Sequence, residues 1–310
     1  MTSDMGTVRS TRPPFIVGKN HLLIAGLLAV VLFAIAIIIW FSTIPRSLYP
    51  VRVNGRYGYI TRTAKLSIQP QFDRAAMFTD GLAAVEIGNK WGYIDNSGKL
   101  VVPPQYDLAD PFSEGLALVG AGPRLGYIDK SGKYAINPQY QGAGQFGNGR
   151  APVLMNARWG YIDKQGKIAI NPQFDQAGNF SDGLAQVRNG NSFGYVNTSG
   201  KMVIAPQFTS AGDFHDGLAV VRLNDKFGYI DKSGRMKIAP QFDSAGDFSD
   251  GLAPVALGGR YGYIDKAGKF AINPQFDQGG SFRAGIAPVW MGNRQGYINK
   301  EGHYVWNPIS

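Results

Sequence analysis

Five acidic residues recur at one position of the chain, each directly before the tripeptide Gly-Leu-Ala: Asp80, Glu114, Asp182, Asp216 and Asp250. Carboxylates stacked at regular intervals could bind Ca²⁺ along a groove, and two carboxylates at a suitable separation could hydrolyse a glycosidic bond. Asn148 and Ala284 hold the same position in two further copies, although a metal ligand or a catalytic acid would require the carboxylate. We therefore predict turn-forming residues here, and neither a catalytic nor a metal-binding residue.

Histidine, cysteine and phosphate-binding motifs offer little further chemistry. The three histidines are His21, His215 and His303, and none belongs to a His-x-x-x-His pair. The chain has no Cys, which excludes thiolate metal sites and disulfides. No phosphate-binding loop and no dinucleotide-binding glycine motif occurs. We predict no cofactor-binding residue, no cofactor and a protein that is not an enzyme.

A second regular column is basic: Lys99, Lys133, Lys167, Lys201, Arg235 and Lys269. Basic residues on exposed strands discourage edge-to-edge pairing, which is one interpretation of this column. The other is attraction to anionic lipid headgroups or anionic envelope polymers. Since the net charge of +9 is dispersed, with no run of five basic residues, we expect no nucleic-acid partner.

The elements that carry these columns repeat every 34 residues without an insertion. The tripeptide Gly-Tyr-Ile or Gly-Tyr-Val starts at Gly58, Gly92, Gly126, Gly160, Gly194, Gly228, Gly262 and Gly296. A proline column and a phenylalanine column follow the same step, for example at Pro172 and Phe180. Eight units therefore fill the chain after Pro50. The Pro and Gly in each unit argue against the helical hairpins that share this period.

Each unit is predicted to be a three-stranded β-meander. In the clearest copies we expect strands at 183–187, 159–162 and 167–170, the last with Ile168 and Ile170 on one buried face. An Asp or Asn followed three residues later by Gly, as at Asp163 and Gly166, predicts a tight turn between the second and third strands.

The segment "RWGYIDKQGKIAINPQFDQAGNFSDGLAQV", residues 158–187, resembles the WG repeat family of bacterial proteins. The resemblance spans about residues 51–308, but only Trp91 and Trp159 keep the tryptophan. Tyr57, Leu125, Phe193, Phe227, Tyr261 and Gln295 replace it, which we interpret as core packing by a large side chain. The family implies a β-strand repeat domain that serves as a binding module, with no agreed activity.

Meanders with one apolar face must stack on their neighbours. An open β-solenoid or superhelix is the first prediction, because 34 residues are few for a propeller blade, no unit is split between the termini and both terminal units are atypical. Thr61 and Ala64 replace the usual turn residues in the first unit, and Gln295 replaces the aromatic residue in the last. The alternative is an eight-bladed β-propeller.

A transmembrane α-helix is predicted to precede the array. Leu22 to Phe41 are 20 residues without a charge, enough to span about 30 Å of hydrocarbon. We predict a cytoplasmic tail at residues 1–20, the helix at 21–44, a linker at 45–50 and the β domain at 51–310. Basic residues before the helix favour a cytoplasmic N-terminus, which places the repeat domain on the outer side of a bacterial plasma membrane.

The expected function is that of a membrane-tethered, non-enzymatic repeat domain whose partner is a protein or an envelope polymer. The eight units resemble one another closely, and none contains a distinct set of catalytic residues. Two alternatives stay open. One is an enzyme that acts on envelope glycans through carboxylates in a groove, and the other is a passive spacer within a membrane complex.

Overall fold

The computed structural model describes residues 47–309. The predicted tail, transmembrane helix and the start of the linker lie outside these residues. Within the described range, no helix has the length and apolar character needed to cross a membrane. The first strand begins at Leu48, so the β domain starts three residues earlier than the predicted boundary at residue 51.

The described residues form eight antiparallel sheets of three or four strands, one for each repeat unit. Units 1 to 4 contain β1 (Leu48–Val53), β2 (Arg56–Thr61), β3 (Leu66–Phe72); β4 (Arg74–Ala75), β5 (Leu82–Ile87), β6 (Lys90–Asp95), β7 (Leu100–Tyr106); β8 (Leu108–Ala109), β9 (Leu116–Gly120), β10 (Leu125–Asp129), β11 (Tyr134–Tyr140); and β12 (Ala151–Met155), β13 (Arg158–Ile162), β14 (Ile168–Phe174). Units 5 to 8 contain β15 (Gln176–Ala177), β16 (Leu184–Asn189), β17 (Ser192–Asn197), β18 (Met202–Phe208); β19 (Ser210–His215), β20 (Leu218–Leu223), β21 (Lys226–Asp231), β22 (Met236–Phe242); β23 (Ser244–Ala245), β24 (Ala253–Leu257), β25 (Arg260–Ile264), β26 (Phe270–Phe276); and β27 (Gln278–Gly279), β28 (Ile286–Met291), β29 (Arg294–Asn299), β30 (Tyr304–Ile309).

Most units therefore have one strand more than the predicted three. The additional strand lies in the connection that precedes Gly-Leu-Ala. In unit 5, Gln176 pairs with Arg188 and Ala177 with Val187, and in unit 4 an isolated bridge between Ala143 and Val153 takes its place. The third strand also runs through the Pro-Gln-Phe segment instead of ending before it.

Close contact between the second and third strands explains the glycine of the Gly-Tyr pair. In unit 4, a Cβ atom at Gly160 would lie only 2.6 Å from the carbonyl oxygen of Ile170. The register shifts around this contact, since Tyr161 pairs with Ile170 and Ile162 pairs with Ile168. This irregular pleat turns Ile168 outward, and 55% of that residue is exposed. The prediction that Ile168 and Ile170 share a buried face was wrong for Ile168.

The tyrosine after that glycine joins neighbouring sheets. Tyr161 is fully buried, packs against Phe180 with ring centroids 4.7 Å apart, and donates a hydrogen bond from its hydroxyl group to the carbonyl oxygen of Gly178 in unit 5 at 3.0 Å. Six other tyrosines make the equivalent bond to the following unit: Tyr59, Tyr93, Tyr127, Tyr195, Tyr229 and Tyr263.

The array closes into a ring. The Tyr297 hydroxyl of unit 8 donates to the carbonyl oxygen of Pro50 in unit 1 at 2.7 Å, and the Tyr49 hydroxyl donates to the carbonyl oxygen of Arg283 at 2.8 Å. The two tyrosine rings pack edge to face, 5.7 Å between centroids. The all-β repeat array is confirmed, but the open solenoid was wrong and the alternative, an eight-bladed β-propeller, is the observed arrangement.

Residues that depart from the repeat form this closure. Tyr49 occupies a position that is alanine in every other unit, for example Ala83 and Ala185, and its ring fills the space between the first and last units together with Ile286. The atypical terminal units are therefore fitted to each other and do not cap an open stack. No blade is divided between the termini, because the ring closes through side-chain packing and tyrosine hydrogen bonds between the first and last units.

Replacement of Tyr49 by Ala, the residue of the other units, is expected to destabilise the ring. Removing a buried aromatic side chain leaves a cavity at the seam and lowers the free energy of unfolding by about 3–5 kcal/mol. Urea denaturation of the full chain, followed by tryptophan fluorescence, measures this loss. Tyr134→Ala is the matched control because 40% of Tyr134 is exposed, and equal losses in the two variants would argue against a specific role for the seam.

Candidate binding site

The acidic column lies in two-residue turns that lead into the first long strand of each unit, as between Thr79 and Leu82. Asp80 and Gly81 both have positive φ, 51° and 88°, as tight hairpin turns require. The Asp80 carboxylate accepts a hydrogen bond from the Gly115 amide of the next unit at 2.8 Å. Asn148 accepts the same bond from Gly183 through its amide oxygen at 2.8 Å. The position therefore needs a hydrogen-bond acceptor, which explains why Asn can replace Asp.

Lysines from the following turn approach the same acidic residues. The ammonium group of Lys164 lies 3.2 Å from the Glu114 carboxylate, and Lys266 donates to the backbone carbonyl oxygen of Asp216 at 2.8 Å. At the ring seam, Arg62 lies against Gly285 in the same arrangement. Among the described residues no cluster of three His, Asp or Glu side chains is placed to hold a metal ion.

The turns between the second and third strands present the basic column. In unit 2, Asp95 accepts hydrogen bonds from the backbone amides of Ser97 at 2.9 Å and Lys99 at 3.1 Å. The Ser97 hydroxyl group also donates to Asp95, and this bond lowers the pKa of the carboxyl group more than any other contact. The turn thus holds the backbone at Lys99 in place and leaves the lysine side chain exposed.

A large apolar residue follows each of these basic residues, and we call the combined surface the basic–apolar rim: Lys99 and Leu100, Lys133 and Tyr134, Lys167 and Ile168, Lys201 and Met202, Arg235 and Met236, Lys269 and Phe270. Leu100, Tyr134, Ile168 and Met236 are exposed, and all six basic side chains are exposed. None of these six lies within 4.0 Å of an acidic group among the described ion pairs. Because the units are equivalent by rotation, the pairs lie on one circle around the ring.

The tryptophan column lies at the edge of the core. Tyr161 is buried, whereas Trp159, two residues before it, is only partly buried, and so is every residue of its column. Trp159 and Phe193 line a cavity of about 390 Å³ between units 4, 5 and 6, which we call the unit-5 cavity. Both rings also pack against the buried core of their units, as the sequence predicted, so their exposed part is what faces the cavity.

Two departures from the repeat shape the unit-5 cavity. Gln186 lies in the middle of β16, at a position held by Leu118, Val220 and other apolar residues in the remaining units. It packs so closely against Gly178 that a Cβ atom there would lie 2.6 Å from Gln186 Cγ. The other lining residues are Gln176, Ala177, Gly178 and Ala211. The cavity is thus lined by two aromatic rings, three small residues and two amide side chains.

An acidic cluster adjoins Gln186. The Asp213 carboxyl group lies beside the Gln186 amide, yet its buried Oδ1 atom has no hydrogen-bond partner among the described residues. Burial raises the pKa of Asp213 to about 6, and the negative charge of Asp247 adds to the effect. Burial likewise raises the pKa of Asp247, which His215 partly offsets. His215 Nε2 lies 3.7 Å from Asp247 Oδ2.

The sequence analysis named His215 only as a histidine without a second ligand at metal-binding spacing, and it missed Gln186, Asp213 and Asp247. Each of these three differs from most residues of its column, so a search for polar departures from the repeat would have found them. His303 donates a backbone hydrogen bond to Asn299 in its turn, and His21 lies outside the described residues. The structure brings His215 near the acidic cluster and leaves His303 apart from it.

The raised pKa of Asp213 predicts a stability change with pH. The folded state binds the Asp213 proton more tightly than the unfolded state, so stability falls as pH rises from about 4 to about 6. Asp213→Asn should therefore raise the free energy of unfolding at pH 8 by about 1–2 kcal/mol after solvent screening, with no gain at pH 4.

Urea denaturation at pH 4, 6 and 8 measures this effect. Asp95→Asn is the control with the opposite sign, because hydrogen bonds lower the pKa of Asp95 and its charge stabilises the fold at neutral pH. Asn197 occupies the position of Asp95 in unit 5, so the fold accepts Asn there. An effect of Asp213→Asn on stability that does not change with pH would contradict the raised pKa of Asp213.

Solved structures share the architecture at low sequence identity. Dihydro-heme d1 dehydrogenase NirN in complex with DHE is 12% identical, with 86% of this chain and 73% of that chain covered and a TM-score of 0.55. A eukaryotic initiation factor is 10% identical, with 85% of both chains covered and a TM-score of 0.53. Kluyveromyces lactis Hsv2p is 8% identical, with 73% and 92% covered and a TM-score of 0.51. These likenesses show the fold alone.

Sequence comparison gives a more specific result. No curated protein matches the chain. The family model described as WG containing repeat matches seven segments, at residues 57–91, 91–120, 126–159, 159–192, 193–227, 227–261 and 261–294. Together they cover most of the chain, and six of the seven begin at a residue of the tryptophan column. The chain therefore belongs to the family of proteins with the WG containing repeat.

Proposed function

We propose that this chain is a membrane-tethered, non-enzymatic binding module whose propeller engages a protein or an envelope polymer. The basic–apolar rim is the observation that carries the proposal. Tyr134 and Phe270 of the rim pack one ring edge against the preceding blade, but Leu100, Ile168 and Met236 keep much of their apolar surface exposed. Exposed apolar surface repeated beside lysines supports contact with an external partner. The adjacent lysines select a partner with negative charge.

The repetition of the rim also determines how it binds. One exposed lysine beside one apolar side chain contributes little affinity. A partner that spans several blades engages several such pairs at once, and each additional pair then binds within one complex at a high effective concentration. A polymer or an extended protein surface fits this arrangement better than a small ligand.

Charge reversal on the rim is expected to abolish most of this binding. The double variant Lys133→Glu, Lys167→Glu should reduce the capture of partners from solubilised membranes at least fivefold, and added salt should weaken capture by the unmodified chain. The matched control is Arg124→Glu, Arg294→Glu, which changes the net charge equally at exposed positions of other turns. Capture is measured by cross-linking to the full chain in detergent.

Equal losses of partner capture in both double variants would show that capture depends on net charge and not on the rim. Capture that no rim variant changes would favour the passive spacer.

The tether and its location are part of the same proposal. The uncharged stretch Leu22 to Phe41 supports a single-pass anchor in a bacterial plasma membrane, with the basic flank before it inside and the repeat domain outside. The absence of Cys permits a direct test. A single cysteine introduced at the exposed position Lys133 should react with a membrane-impermeant maleimide in intact spheroplasts. Labelling only after lysis would place the domain inside the cell.

One observation favours the glycan-acting enzyme as a second candidate. Asp213 and Asp247 occupy the same position of adjacent units, and burial raises the pKa of both, as acid catalysis at near-neutral pH requires. Cleavage of an envelope glycan by the full chain, lost in both Asp213→Asn and Asp247→Asn, would replace the non-enzymatic proposal. Intact glycan after prolonged incubation would support it.

A further inference from the structure

The unit-5 cavity is chemically distinct from the same region of the other units. In unit 2, the guanidinium group of Arg74 lies over the Trp91 ring, 5.1 Å from its centroid, and pairs with the buried Glu86 carboxylate. Arg74 therefore covers that tryptophan. In unit 4, Gly142 stands at the position of Arg74 and the Trp159 ring lies directly against it. No side chain from this position covers the Trp159 ring, which lines the cavity with Phe193.

The polar groups of the cavity carry no charge. Gln176 accepts a hydrogen bond through Oε1 from Arg188 Nε at 3.1 Å, which leaves its amide nitrogen to donate. Gln186 presents an amide from the middle of β16. Such a lining recognises a ligand with both donors and acceptors. The carboxyl group of Asp213 lies beside Gln186 and disfavours an anionic ligand.

A pyranose ring meets these requirements. It has one flat face of C–H groups, which packs on an aromatic side chain, and a rim of hydroxyl groups, which donate to and accept from amides. The cavity volume of about 390 Å³ falls within the range of small-molecule sites. Because Trp159 and Phe193 come from neighbouring blades, a short run of linked sugars can contact both.

We propose that the unit-5 cavity binds an uncharged sugar residue of an envelope glycan, stacked on Trp159 or Phe193 and hydrogen-bonded to Gln176 and Gln186. This inference rests on the proposed binding function and names the ligand class of one site within it. The rim provides repeated contacts of low selectivity, and the cavity provides a single selective contact.

Calorimetric titration of the full chain in nanodiscs tests the proposal. The probes are an N-acetylglucosamine tetramer and a maltose-series tetramer, each at up to millimolar concentration. Trp159→Leu and Gln186→Val should each weaken binding of the preferred probe at least tenfold. Both variants should fold, because Leu125 and Val220 hold the same positions in neighbouring units. Trp91→Leu is the matched control and should bind like the unmodified chain.

The outcomes separate this inference from the proposed function. If neither saccharide binds while rim-dependent capture persists, the ligand class is wrong and the binding module stands. Saccharide binding that survives both cavity variants, or that Trp91→Leu removes equally, would refute the site. If binding depends on Trp159 and Gln186 but rim variants leave capture unchanged, the cavity stands and the rim proposal fails.

Discussion

One buried hydrogen bond recurs around the whole ring, and the rest of the structure depends on it. In each of eight units a tyrosine of the second strand donates its hydroxyl proton to a backbone carbonyl of the neighbouring sheet; Tyr161 and Gly178 illustrate it. Burial raises the pKa of Tyr161 far above its usual value, so the hydroxyl remains a donor throughout the physiological range. Because the tyrosine hydroxyl is excluded from water, a broken hydrogen bond would leave a buried polar group without a partner.

The glycine before each tyrosine makes this bond possible. It lets the third strand approach to where a Cβ atom at Gly160 would overlap the Ile170 carbonyl, and the resulting register shift directs Tyr161 to the next sheet. The same shift exposes Ile168 beside Lys167, which creates one member of the rim. A single local constraint thus links the sheet, the contact between blades and the exposed surface.

Local features of the fold could be predicted from the sequence, whereas its closure could not. The period, the Asp163 to Gly166 turn and the need for stacking follow from short-range chemistry. Whether eight stacked units close depends on the small rotation between successive units, which no residue type reveals. The clearest sequence signal of closure is Tyr49 in an alanine column, and it resembles a capping residue until its neighbour across the seam is known.

The candidate site was missed for a related reason. A repeat suggests that function resides in the positions that recur in every unit, but here those positions have structural roles. Asp80 accepts a hydrogen bond from a glycine amide, Asp95 caps a turn and Tyr161 joins two blades. Gln186 replaces an apolar residue in the middle of a strand, where it is only partly buried and lies beside the Asp213 carboxyl group. This polar departure from the repeat, next to a tryptophan that no arginine covers, is what sets the unit-5 cavity apart from the other units. In a ring of near-identical units, a polar residue that departs from the repeat is therefore a better candidate for selective binding than a repeated residue. The repeated positions supply the scaffold and the rim.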